Sequence, residues 1–134
     1  MWIRSKLPSA DYMIVRCGYK EVERDYSTLI DTKKDVEEIA GNLCNNLEHK
    51  RILREFEVAK EKGCKEFIFL ICDSKIKSVD DLKKWSSKKT KVKGETLFKI
   101  MSTMHKKYGM RFIFTDKKNA GKYVVKLLTK NLEN

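Results

Sequence analysis

Two carboxylates and a lysine in the first third of the chain are of the types that metal-assisted hydrolysis of a phosphodiester requires. Asp31 and Lys33 follow an apolar pair and stand two positions apart, so on a strand their side chains share one face. Asp11 stands at the head of the preceding predicted strand. Two carboxylates that converge from neighbouring strands can hold a hard divalent cation, and a lysine beside them can steady the attacking water or the phosphate charge. The pattern therefore indicates a candidate metal site at Asp11 and Asp31, with Lys33 beside it.

The same residues also have a simpler interpretation. Asp-x-Lys arises by chance in many basic proteins, and strand ends are often charged. Glu37 fits either a solvated first helical turn or an outer contributor to the same site. Asp35 and Glu38 have the spacing of a capping box and are therefore expected to begin a helix rather than bind a metal. On the residues alone, a metal site and an ordinary charged strand end both stay open.

The elements that must position these residues are strands followed by alternating helices and strands. Alternation and apolar runs predict strands over 2–7, 12–17, 27–33, 65–72 and 110–115, with 20–25 as an exposed hairpin arm. Helical spacing predicts a helix from Asp35 to Gly63 that is interrupted near Asn45, and further helices over 78–85, 95–108 and 120–132. This order predicts an α/β fold with a mixed central sheet, helices on both faces and parallel later strands.

Length and composition exclude several classes of protein. The 134 residues predict one domain spanning 1–134, and 41% hydrophobic residues are too many for a disordered basic tail. The longest apolar run has six residues, and no secretory signal is evident, so neither a membrane partner nor secretion is expected. Four cysteines in no zinc-like spacing predict reduced thiols in a cytoplasmic or nuclear compartment.

The formal net charge of +11 favours a polyanionic partner. Lys50, Arg51 and Arg54 cluster on one predicted helix, and their alternative interpretation is a solvated helix face. Lys88, Lys89 and Lys91 lie in a predicted mobile loop over 86–94, which is either a phosphate clamp or a solvated charge run. These six residues are the predicted nucleic-acid contacts, through phosphate rather than base sequence.

The order of the acidic and basic motifs resembles the PD-(D/E)xK nucleases and, more narrowly, the compact, phage-type form of the XPF-type (ERCC-four) nuclease domain. That signature is Gly-Asp, then Glu-Arg-Lys, then three residues and Asp. Asp11 matches the first Asp, Asp31 the Glu, Lys33 the Lys, and Glu37 the final Asp. Further similar segments are Gly41-Asn42-Leu43, 48–57, 67–71, Gly94-Glu95-Thr96-Leu97 and Lys107-Tyr108-Gly109. Three departures stand beside them: Ala10 replaces the Gly, Thr32 replaces the Arg, and the Asp-x-Arg-Glu strand that usually opens the family has no counterpart.

The resemblance implies a restriction-endonuclease-like fold and an endonuclease dependent on Mg²⁺ or Mn²⁺, acting on branched or junction DNA in a bacterial or phage-infected cell. Asp11, Asp31, Lys33 and Glu37 are then the catalytic residues, with Asp11 and Asp31 as metal ligands. A homodimer is also implied, for which the apolar positions available are Met101, Met104, Val124, Val125 and Leu128, although core packing explains them equally well. A non-catalytic DNA-binding module on a degenerate nuclease scaffold is the alternative, and a basic RNA-associated protein is a third.

Overall fold

A five-stranded mixed sheet forms the centre of the structure. The computed structural model describes residues 2–4, 12–17 and 22–130, with side chains from Tyr26 onward. The strands, in chain order and in spatial order, are β1 (Trp2–Arg4), β2 (Tyr12–Cys17), β3 (Val22–Lys33), β4 (Glu66–Cys72) and β5 (Arg111–Thr115). β1, β2 and β3 pair antiparallel, whereas β3, β4 and β5 pair parallel. The mixed sheet and its parallel later strands are as predicted.

Helices cover both faces of the sheet, as the order of elements predicts. They are α1 (Val36–Cys44), α2 (Asn46–Glu61), α3 (Val79–Lys84), α4 (Gly94–Tyr108) and α5 (Ala120–Thr129). Buried side chains of α1 to α4 share one apolar cluster with one face of the sheet, and those of α5 share a second cluster with the other face. The parallel strands are therefore enclosed between two cores, and their ends are the places where polar groups are accessible.

The β4 strand is buried on both faces because its sequence is apolar without alternation. Phe67, Phe69 and Ile71 face the cluster with α1 to α4, and Ile68 and Leu70 face α5. All five side chains are at most 2% exposed. A continuous apolar run of this kind is typical of a central parallel strand.

Polar side chains begin three helices at the residues that the sequence indicates. The Asp35 carboxylate accepts a hydrogen bond from the Glu38 N–H and caps α1. Asn45 ends α1 and caps α2, which is the predicted interruption. The Ser78 hydroxyl accepts from the Asp81 N–H at the start of α3. Because each side-chain oxygen satisfies a backbone N–H that has no partner within the helix, these residues fix where the helices start.

One predicted boundary differs from the structure. Residues 22–25 belong to β3 rather than to a separate arm, because they pair with β2 from Cys17↔Val22 to Ile14↔Asp25. This long antiparallel partner was not evident from the charged sequence of the segment. The predicted arm also included 20–21, and the predicted first strand included 5–7; these residues lie outside the described ones, as do the last two of the predicted C-terminal helix.

Four of the five apolar positions considered for a dimer lie in the core. Met101, Met104, Val124 and Leu128 are at most 5% exposed, whereas Val125 is 37% exposed. Core packing therefore accounts for the four buried side chains. Of the helices in the described ranges, none combines the length and the apolar character needed to cross a bilayer.

Candidate functional site

Asp31 and Lys33 form an ion pair at the carboxyl end of β3. The Lys33 Nζ lies 3.2 Å from Asp31 Oδ2, and the two side chains are 12% and 20% exposed. Their backbone partners are Phe69 and Ile71 on β4, which lie on the face covered by α1 to α4. The structure therefore brings together the two residues that the strand spacing placed on one face. The pair is largely sheltered from solvent, which strengthens its electrostatic interaction relative to a pair in water.

Asp11, the other predicted metal ligand, lies outside the described residues. Its neighbour in the sequence, Tyr12, pairs with Ile30, which is the residue before Asp31. Within the part of the chain that the structure describes, no group of three His, Cys, Asp or Glu side chains is arranged to hold a metal ion. Among the predicted ligands, the described residues therefore supply one carboxylate, Asp31, with an ammonium beside it.

Glu37, the fourth predicted catalytic residue, connects α1 to the loop over 86–93. One carboxylate oxygen accepts a hydrogen bond from the Ser87 hydroxyl at 2.9 Å, and the other accepts from the Lys88 backbone N–H. Both partners are about fifty positions away in the sequence. The geometry gives Glu37 a positioning role, because it holds the lysine-rich loop against the start of α1.

The loop over 86–93 is closed by hydrogen bonds at its base and within its turn. Ser86 bridges to Lys93, and the Ser87 N–H donates to the Val92 carbonyl at 2.9 Å. The Ser87 hydroxyl also accepts from the N–H groups of Lys89 and Thr90. Lys88, Lys89 and Lys91 are exposed. The predicted mobile loop is thus tied to the body at both ends, with its lysines exposed to solvent.

Gly94 sets the position of this loop because no side chain fits there. A Cβ at Gly94 would lie 1.8 Å from the Leu82 carbonyl oxygen and 2.9 Å from the Trp85 oxygen. The Gly94 N–H donates to that same Trp85 oxygen at 2.7 Å. The start of α4 can therefore approach the end of α3 only with glycine at this position.

The three predicted contacts on α2 are all exposed, but one of them, Arg51, is ion-paired within the helix. Lys50 and Arg54 are exposed. Arg51 donates through Nε and Nη2 to Glu48 and through Nη1 to Glu55, at 2.6 to 3.1 Å. The hydrogen bond that Arg51 donates to the Glu48 carboxylate is the largest of the effects that raise the pKa of Arg51. The Arg51 fork is therefore already occupied within its own helix.

A cleft at the carboxyl ends of the three parallel strands was not predicted as a site. We call it the strand-end cleft, and its volume is about 720 Å³. It is lined by the residues that follow β3, β4 and β5, namely 34–35, 73–75 and 116–118, and by Glu37, Cys72, Trp85, Ser86 and Lys88. In open α/β sheets this is the end at which ligands bind.

The strand-end cleft contains five lysines and four carboxylates, but the two sets differ in how they are bonded. Lys34, Lys75, Lys88, Lys117 and Lys118 are all exposed, and none makes an ion pair with a carboxylate of the described residues.

The cleft carboxylates are Asp35, Glu37, Asp73 and Asp116. Seven of their eight oxygens accept hydrogen bonds from N–H or O–H groups of the protein. The carboxylates are therefore engaged in holding loops, and the ammonium groups are the charges available to a ligand.

A sequence signal for this cleft exists, although single motifs do not contain it. Each parallel strand is followed within three residues by both an acid and a lysine: Lys34-Asp35, Asp73-Ser74-Lys75 and Asp116-Lys117-Lys118. Once the three strands are known to be parallel neighbours, these segments must meet at one edge of the sheet. The signal is the acid and lysine that follow each of the three strands, and its meaning depends on knowing that these strands are parallel neighbours.

In comparisons with known proteins, no protein-family model, no curated protein and no solved structure matched this chain.

Proposed function

We propose that the chain is a metal-dependent DNA endonuclease with a restriction-endonuclease-like arrangement of its mixed sheet. The observation that carries the proposal is the sheltered Asp31–Lys33 pair, with 3.2 Å between its charged groups, at the carboxyl end of a parallel strand. The lysine-lined cleft that begins at Lys34 supports it, because it places cationic charge next to the pair. The resemblance of the Asp11, Asp31, Lys33 and Glu37 spacing to XPF-type nucleases supports the same chemistry for this pair.

In this proposal Asp31, together with Asp11, would hold a Mg²⁺ or Mn²⁺ ion. Such an ion neutralises the phosphate and lowers the pKa of a bound water. Lys33 presents its ammonium to the phosphate or to the attacking water, and Asp31 holds that ammonium in place. Glu37 acts through the loop that it binds, by positioning Lys88. Branched or junction DNA is the proposed substrate.

The test is cleavage of a fluorescently labelled flap duplex in Mg²⁺ and in Mn²⁺. We expect Asp31→Asn and Lys33→Gln each to lower the cleavage rate by about 100-fold or more, the effect of removing one electrostatic contact to a transition state. Folding is checked by circular dichroism and thermal midpoint, since neither change introduces bulk.

The structure offers a matched control at the opposite end of the parallel strands. Glu66 and Arg111 form another half-sheltered pair between strands, at 3.5 Å. Glu66→Gln and Arg111→Gln alter the charge by the same amounts, and we expect both to keep cleavage within about 3-fold. Equal activity of all four variants, or no cleavage by the wild-type chain with either ion, would contradict the proposal.

A non-catalytic DNA-binding module is the second candidate function. The contacts of Glu37 favour this candidate. The family motif has an acidic residue at this position, and here both carboxylate oxygens of Glu37 accept hydrogen bonds from the loop over 86–93. This candidate predicts DNA binding that a chelator leaves unchanged, with Asp31→Asn neutral or tighter because a negative charge is removed.

A further inference from the structure

We infer that the strand-end cleft binds an unpaired stretch of one nucleic-acid strand, with its phosphates on the lysines and a base against Trp85. The inference rests on the proposed function, to which it adds a location and a strand state for the substrate. It concerns residues other than the predicted contacts on α2. Four features of the cleft support it: its charge, its size, the distribution of its lysines and the presence of Trp85.

The charge of the cleft favours phosphate over a metal ion. Among the described residues no group of three His, Cys, Asp or Glu side chains is arranged to hold a cation, and seven of the eight carboxylate oxygens of the cleft already accept hydrogen bonds that hold the protein's own loops. Both oxygens of Asp73 are used, one by the Val36 N–H at the start of α1 and one by the Lys75 N–H. What remains is a set of exposed ammonium groups from four separate segments. Such groups bind phosphate oxygens by charge-assisted hydrogen bonds.

The size of the cleft favours a single strand over a duplex. Its 720 Å³ lies within the range of about 300–1,000 Å³ that holds a small ligand, which corresponds to one or two nucleotides. A duplex is too wide to enter such a cavity and would rest on its rim.

The distribution of the lysines favours several phosphates over one. Lys34, Lys75 and Lys117 follow β3, β4 and β5, and neighbouring strands are about 4.8 Å apart, so the three strand ends span about 10 Å. This span exceeds a single phosphate group. A linear polyanion fits it better than a free nucleotide, whose phosphates bind to one converging set of donors.

Trp85 lines the wall of the cleft, and its side chain also packs against the apolar cluster that α1 to α4 share with the sheet. It ends α3, it is partly exposed, and its backbone is fixed by the hydrogen bond that its carbonyl oxygen accepts from Gly94. Stacking of a base on an aromatic side chain contributes about 1–3 kcal/mol and tolerates any base sequence. Trp85 therefore provides affinity without requiring sequence-specific contacts.

The test is fluorescence anisotropy of a 5′-labelled twelve-nucleotide oligo-dT, measured in EDTA so that cleavage plays no part. The cleft variant is Lys75→Gln/Lys117→Gln/Lys118→Gln. The matched control is Lys65→Gln/Lys99→Gln/Lys122→Gln, three exposed lysines outside the cleft with the same loss of charge. We expect the cleft variant to bind at least 10-fold more weakly and its salt dependence to fall by a slope of about 2, since each single-strand phosphate contact contributes about 0.7. The control should stay within about 2-fold of wild type.

A second readout uses Trp85 itself. In a Trp2→Phe background it is the single tryptophan, and oligo-dT should quench its fluorescence in step with the anisotropy. Equal weakening of the cleft and control variants would overturn the inference in favour of diffuse attraction. Competition by thymidine diphosphate at the same concentration as oligo-dT, or tighter binding of a blunt duplex, would overturn it as well.

The inference and the proposed function fail separately. Binding of oligo-dT by the wild-type chain is measured in EDTA, so its outcome does not depend on whether the chain cleaves DNA. Absence of cleavage by the wild-type chain, with oligo-dT binding retained, counts against the endonuclease alone. Cleavage together with equal weakening of the cleft and control variants counts against the inference alone.

Discussion

Arg51 of helix α2 and the lysines of the strand-end cleft are all exposed cations, yet they differ in what they already bind. On α2, Arg51 donates three hydrogen bonds to Glu48 and Glu55 one helical turn away on either side. In the cleft, the carboxylates are bonded to backbone N–H groups and to Ser87 instead, and the lysines are left exposed. A phosphate must displace a carboxylate to reach Arg51 but not to reach Lys117. Charge counted along a sequence therefore does not show which charge a ligand meets.

The largest expected effect on stability comes from Gly94, on which the position of the loop over 86–93 depends. Gly94→Ala places a Cβ 1.8 Å from a backbone oxygen of Leu82, so the start of α4 must shift. We expect a loss of about 3 kcal/mol in the free energy of unfolding, measured in urea, together with weaker oligo-dT binding. Gly41→Ala is the control, because Gly41 lies within α1 with nothing near its missing Cβ. It should stabilise the chain by about 0.5–1 kcal/mol. Equal effects at the two glycines would show that the close contact is not needed.

The next effect separates loop placement from bare charge. Glu37→Ala removes a negative charge from the cleft, so charge alone predicts tighter binding of oligo-dT. Because Glu37 also holds Ser87 and Lys88, we expect the opposite result, a loss of about 5-fold in anisotropy titrations. Glu57→Ala removes an exposed charge from α2 and should leave affinity unchanged or slightly tighter. Tighter binding by Glu37→Ala would refute the positioning role.

A smaller pair of effects compares the two regions directly. Arg51→Gln should reduce the free energy of unfolding by about 0.5–1 kcal/mol, because it removes two exposed ion pairs within a helix. Its oligo-dT affinity should stay within 2-fold. Lys117→Gln should show the reverse, with unchanged stability and binding about 3-fold weaker. If Arg51→Gln weakens binding more than Lys117→Gln does, α2 is the main contact surface and the comparison above is wrong.

Much of this fold was predictable because its signals are local. The capping residues Asp35, Asn45 and Ser78 fixed the helix starts, and the unbroken apolar run of β4 indicated a central strand. The extent of β3 was not predictable, since three of the four residues over 22–25 are charged and the segment belongs to a strand through its pairing with β2.

The candidate site divides in the same way. The Asp31–Lys33 contact follows from the two-residue period of a strand. The bond from Glu37 to the loop spans about fifty residues and depends on the packing of α1 against that loop, which no local pattern encodes. The strand-end cleft depends on the parallel order of three strands, so it becomes visible only with the topology.

A half-buried thiol, Cys64, and a buried thiol, Cys72, lie near the two ends of β4. Burial raises the pKa of Cys64, near the start of β4, from 9.0 to about 11. Its thiolate at pH 8 is then about one part in a thousand, so reaction with a disulfide reagent should be on the order of 100-fold slower than that of a free cysteine. Between pH 9 and pH 11 the folded state keeps the Cys64 thiol proton, whereas the unfolded state loses it. Stability is therefore unaffected below pH 9 and falls as pH rises toward 11, and Cys64→Ala should flatten that fall in urea titrations.

The smallest expected effect tests how the positive charge of the cleft lysines acts on the thiol of Cys72, the last residue of β4. Burial is the main effect on its pKa and raises it, whereas the ammonium of Lys117 acts in the opposite direction. Lys117→Gln should therefore slow the labelling of Cys72 by about 2-fold and leave Cys64, at the other end of the strand, unchanged. Bound oligo-dT should slow Cys72 in the wild type, because phosphates offset the same ammonium. If Lys117→Gln changes the labelling rates of Cys72 and Cys64 equally, the substitution acts on the stability of the protein. The charge of Lys117 then has no local effect on the Cys72 thiol.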